Sequence, residues 1–136
     1  MVDVLEAVIA ALEANNDVST LTANRIYGIR LAEDEIENMP RKCIVLRYAG
    51  GAERNDFIKI ISPRIYFYSY GESEYEAGRV DRAVYVCLKN IDRLTINGTL
   101  IHGVAISTGP ISMESAAGWP IQWRSAVVTA SETEIT

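Results

Sequence analysis

Hydrophobic positions recur twice along this chain at helical spacing and alternate with polar ones between and after, a pattern that predicts an α+β domain. Val4, Leu5, Val8, Ile9 and Leu12 make the first apolar stripe. Asp3 precedes it and Glu6 follows three residues later, in the form of a capping box, while Asn15-Asn16 closes the helix. The second stripe is Ala77, Val80, Val84, Cys87, Leu88 and Ile91. Ser73 with Glu76 is the clearest capping box in the chain, and Glu74 adds negative charge where a helix dipole favours it.

The intervening residues predict strands. Residues 21–24 read as a short turn and 25–28 as a brief extended piece ended by glycine. Pro40 sets up a strand over 43–49, Gly50-Gly51 and the polar residues 52–56 predict a hairpin loop, and the return strand covers 57–70. Ser62-Pro63 falls within that return strand. Proline has no N–H to give a ladder, so the strand either bulges there or lies at a sheet edge. Asn97-Gly98 predicts a type I′ hairpin turn between 94–96 and 99–106. Gly109-Pro110 ends that strand, Ala116-Ala117-Gly118 lies in a polar loop, and a last strand covers 121–130. The order is α-β-β-β-α-β-β-β: one antiparallel or mixed sheet with two helices packed on one face, an α/β sandwich. Residues 1–130 form a single domain in this reading, and 131–136 a flexible tail.

With 136 residues, 49% of them hydrophobic and 23% charged, the chain is of a kind that folds around a core. A net charge of −5 argues against binding nucleic acid by neutralising phosphates, and no sequence-specific nucleic-acid recognition is expected. The N-terminal stretch is acidic, with Glu6 and Glu13 interrupting its apolar positions, which predicts neither a secretory signal nor a membrane span. Cys43 and Cys87 lie in apolar runs and read as small buried hydrophobes. The one histidine, His102, is expected exposed on a hairpin beside Arg93 and Thr95, and a zinc site would need more ligands than this. No phosphate-cradling glycine loop occurs. The expectation is a protein with no enzymatic activity, no cofactor and no metal.

Two groups of side chains stand out. Glu33, Asp34, Glu35 and Glu37 crowd one segment, which lacks the loop glycine and ligand alternation of a calcium site and reads as a solvated or partner-facing loop. In a ring around DNA, such carboxylates facing the channel would repel phosphates and keep the duplex mobile. Tyr66, Tyr68 and Tyr70 alternate along one strand, on the face opposite Ile65 and Phe67. Packing beneath a helix accounts for one of these faces. The other reads either as further core or as an interface, where tyrosine and tryptophan are enriched. Trp119, in a loop beside Pro120, raises the same alternatives, and Trp123 within the last strand reads as core.

Four segments, in order, resemble a known family: residues 21–28 (LTANRIYG), 39–46 (MPRKCIVL), 64–70 (RIYFYSY) running into a helix with Glu76-Ala77, and a closing strand after an acidic-glycine loop within 111–128. Together they are similar to the tail-completion or tail-terminator proteins of long-tailed, siphovirus-type bacteriophages and prophages, over nearly the whole chain. The resemblance implies a small α+β protomer that assembles into a homo-oligomeric ring, commonly a hexamer. Such a ring sits on the last ring of the tail tube protein, ends its polymerisation and docks to the head–tail connector protein. It implies a protein made in the host cytoplasm and located in the virion, at the head-proximal end of the tail. A closed ring needs two different patches per subunit, and edge-to-edge strand addition hides unpaired backbone groups. Candidate contacts are Tyr66, Tyr68, Tyr70 and Trp119, an edge at Pro63, and a hairpin tip at Gly50, Gly51 and Arg54. Two other readings stand beside this one. The first is another phage neck or connector protein; the second is a small-molecule-binding or enzymatic α+β domain, which needs a concave pocket with converging polar groups.

Overall fold

In the computed structural model, which describes residues 3–31, 33–53 and 60–132, α1 (Val4–Ala14) starts where Asp3 Oδ1 accepts the Glu6 N–H at 3.0 Å. Asn15 then ends α1 and opens α2 (Asn16–Thr22), its side-chain oxygen accepting the Val18 N–H at 3.1 Å. One asparagine therefore serves as C-cap of one helix and N-cap of the next. The chain continues through β1 (Ile26–Gly28), α3 (Glu33–Ile36), β2 (Cys43–Glu53) and β3 (Ile60–Tyr70). It ends with α4 (Glu74–Lys89), β4 (Asp92–Ile96), β5 (Thr99–Glu114) and β6 (Pro120–Glu132). The capping box of α4 is present in altered form. Ser73 Oγ accepts the Glu76 N–H at 3.3 Å, and the Glu76 carboxylate accepts from the Glu72 N–H at 3.2 Å.

The α+β class is as expected, with two short helices added to the predicted order. The six strands form one mixed sheet in the order β1-β2-β3-β6-β5-β4, in which only β1 and β2 are parallel. Ile44, Leu46, Ile65, Phe67, Ile101, Ala126 and Val128 point to one face, where they meet Val4, Val8 and Leu12 of α1 and Val80, Val84 and Leu88 of α4. Successive strand residues point to opposite faces, so Val45, Tyr68 and Trp123, which stand opposite one another across β2, β3 and β6, face away from these helices.

Several expectations are corrected. Pro63 is not at a sheet edge, because β3 lies between β2 and β6. Its missing N–H is accommodated by a bulge: β2 shifts register between Tyr48 and Gly51, and Pro63 stands opposite Gly51. Gly50 and Gly51 therefore belong to strand β2 rather than to a hairpin tip. Gly50 holds φ 85, a left-handed conformation that favours glycine at the bulge. Arg54 lies outside the described residues. Gly109-Pro110 does not end β5; the strand continues through a register shift between Thr108 and Ile111 to Glu114. A Cβ at Gly109 would come within 3.0 Å of Arg124, so only glycine lets β5 pass there. β6 runs on to Glu132 and buries Ser131, two residues into the segment read as a loose tail; residues 133–136 lie outside the described ones.

Candidate functional site

The sheet face turned away from α1 and α4 carries an aromatic ladder. Tyr66 meets Trp123 edge-on with ring centroids 4.9 Å apart, and meets Tyr68 at 6.3 Å. Tyr70 meets Trp119 at 6.4 Å. Such edge-to-face pairs follow from the ring quadrupoles and hold the rings in place. All five side chains are half-buried. Trp119 is placed by a tight turn in which Ser115 Oγ accepts the Trp119 N–H at 3.1 Å and the Ser115 N–H donates to the Trp119 carbonyl at 3.0 Å. Trp123 is corrected by this geometry. It is not core but part of the same open face, because its pairing with Tyr68 puts it on the tyrosine side.

The face extends beyond the tyrosines. Ile111 stands opposite Trp123 and Met113 opposite Ile121, and both β5 side chains are exposed. β4 pairs with β5 only as far as Gly103, so among the described residues the outer edge of β5 from Val104 to Glu114 has no strand beside it. An aromatic surface thus adjoins a long strand edge that, among the described residues, has no strand paired to it, the two features that let a sheet accept another protein.

The acidic segment is built differently from the expected loop. Residues 33–36 form a helical turn, and the Glu35 side chain is buried rather than solvated. Arg41 grips it with a fork: Nε lies 2.8 and 3.1 Å from the two carboxylate oxygens, and Nη2 makes a third bond. Arg25 Nε adds an ion pair at 3.5 Å. The hydrogen bond to Glu35 raises the Arg41 pKa. Close by, burial pushes the Tyr27 hydroxyl up, with the Glu35 charge adding to it, and burial pushes the Cys43 thiol up to about 12. Glu35 therefore anchors α3 and is not a channel-lining charge. Asp34 and Glu37 are exposed; the Glu33 side chain is outside the described residues.

The remaining chemical candidates resolve into structure. Cys43 and Cys87 are buried and free. His102 is half-buried, not exposed, with Nε2 2.9 Å from Ser131 Oγ. Among the described residues no three metal-ligating side chains cluster, and no helix is long and apolar enough to cross a membrane. The sequence reading missed a buried ion pair between Asp81 of α4 and Arg124 of β6, with Arg124 also lying 4.6 Å over the Tyr85 ring. A signal existed for it. Asp81 interrupts the apolar stripe between Val80 and Val84, and Arg124 shares the inward register of Ala126 and Val128.

With this geometry in view, comparison with solved structures adds a likeness. The chain is similar to the solved structure of bacteriophage SPP1 gp17 protein. The two share 12% sequence identity and a TM-score of 0.47, with 95% of this chain and 87% of that one covered. No protein-family model matches the chain, and no curated protein matches it.

Proposed function

We propose that this chain is a virion structural protein of a long-tailed phage, a tail terminator whose ring caps the tail tube, ends its polymerisation and offers the surface that meets the head–tail connector. The observation that carries the reading is the open sheet face. Tyr66, Tyr68, Tyr70, Trp119 and Trp123 line it, and exposed Ile111 and Met113 continue it along the unpartnered edge of β5. Large aromatic side chains held rigidly at a surface supply contact area at little entropic cost, which is what a permanent protein contact uses. The four segments that resemble tail terminators point to the same class of partner. In this reading the function is assembly alone, with no cofactor and no catalytic step.

Purified tail-tube protein, polymerised with and without this chain, tests the proposal by negative-stain microscopy. Tubes with closed, blunt ends and arrested length are expected with the wild type. Tubes of unrestricted length are expected with Tyr68→Ala/Trp123→Ala, which removes two rings from the open face. Binding to isolated connectors but never to tube ends would favour another neck protein. A chain that ignores both, and stays monomeric when concentrated, sinks the proposal.

A further inference from the structure

The aromatic face is not the only unpartnered surface. The turns of α4 that bury Ala77, Val80, Val84 and Leu88 leave Tyr75, Arg79, Arg82 and Val86 in a row on the opposite side, at spacings of four, three and four residues. Tyr75 is 76% and Val86 46% exposed, and both arginines are exposed with no ion pair among the described residues. This row borders a groove of about 1270 Å³ that runs between α2, α4 and the Gly109-Pro110 stretch of β5. Gly78 opens into it: a Cβ there would meet nothing within 4 Å. A chain with net charge −5 thus places two exposed arginines, unpaired among the described residues, with two exposed apolar groups on one helix face.

The complementary pattern stands on α3 and the residue that follows it. Glu35 turns inward to Arg41 and Arg25, while Asp34 and Glu37, three residues apart on this turn, and Ile36, 47% exposed, stand at the surface. The result is an acidic pair with an apolar knob beside it, presented on a segment pinned from beneath. From this charge and shape complementarity we infer that the α4 row of one copy receives the α3 knob of a second copy. Ile36 packs beside Tyr75 over the gap at Gly78, and Asp34 and Glu37, three residues apart like Arg79 and Arg82, pair with those two arginines. The two patches lie on different elements, so the contact is heterologous: each copy offers a knob to one neighbour and a row to the next, the arrangement from which rings close. This rests on the ring reading above and names the surfaces that would join its subunits.

Charge reversal tests it on residues that are exposed and outside the core. R79E/R82E leaves the acidic knob facing a glutamate row, and D34K/E37K leaves a lysine knob facing the arginine row. Each variant alone is expected to lose self-association, measured by light scattering on concentrated protein, by tenfold or more in apparent affinity, about the scale of unpaired interface charges. An equimolar mixture is expected to recover assembly, because in alternating order every knob meets a row of opposite sign. Variants that associate as the wild type does, or a mixture that stays monomeric while the wild type assembles, would overturn the interface and leave the ring reading intact. A wild type that never associates, alone or on tube ends, would overturn both.

Discussion

Arg124 and Asp81 join the centre of β6 to α4 through a two-pronged pair, Nε to Oδ1 at 3.0 Å and Nη2 to Oδ2 at 2.8 Å. Both side chains are buried, and Gly109 of β5 passes directly over Arg124. Removing one partner strands the other charge in the interior, which costs several kcal/mol, whereas replacing both by apolar groups of similar volume costs little. Asp81→Ala is therefore expected to lose about 3–5 kcal/mol of unfolding free energy in urea titrations. The double variant Asp81→Leu/Arg124→Met should lose clearly less than that single change. Equal losses would mean that the pair is not held as described.

Glu35 controls a smaller region. Without its carboxylate, α3 loses the fork from Arg41 and the pairing with Arg25. Glu35→Gln keeps the shape and removes the charge. Amide exchange over residues 34–38 should rise by an order of magnitude or more, since a lost charge-assisted bond of roughly 1.5–3 kcal/mol corresponds to at least tenfold. Protection in β3 and β6 should stay as it is. Uniform loss of protection would show that Glu35 supports the whole fold.

Alkaline pH should destabilise the protein. The Cys43 thiol is pushed up to about 12 by burial, and Cys87, Tyr27, Tyr48 and Tyr70 are raised as well, burial being the largest cause in each. Above the ordinary thiol pKa the unfolded chain releases protons that the folded chain keeps, so the unfolded state binds fewer protons and stability falls as pH rises. The stability these groups contribute is full below pH ~8.5 and drains away as pH climbs through about 12, the folded value for Cys43. Chemical denaturation between pH 7 and 11 measures it, and Cys43→Ala should flatten part of the slope. A slope of opposite sign would mean that the thiol is ionised in the native protein.

Two glycines should respond in opposite directions. A Cβ on Gly71 would sit 2.4 Å from the Ala77 backbone nitrogen, so Gly71→Ala must displace the first turn of α4, at a cost of about 1–3 kcal/mol or more. Gly78 lies inside α4 with open space where its Cβ would be, and Gly78→Ala should gain about 1 kcal/mol from helix propensity. Thermal melts of the two variants check both signs. If Gly78→Ala also weakens self-association while raising the melting temperature, the open space on α4 is used by a partner.

What the sequence determined by itself was local. The apolar stripes of α1 and α4, their caps at Asp3 and Ser73, and the Asn97-Gly98 turn, with positive φ at both residues, depend on neighbours a few positions away. The alternation of β3 likewise separates Tyr66, Tyr68 and Tyr70 from Ile65 and Phe67 by local geometry alone. Only the tertiary structure decided which of those faces the helices cover, that Pro63 is interior, that Trp123 looks outward, and that Glu35 and Asp81 are buried with arginine partners. Each of these depends on a residue or strand far away in the chain. A proline or a carboxylate carries the same local preferences at an edge or in an interior, and distant packing sets which environment it meets.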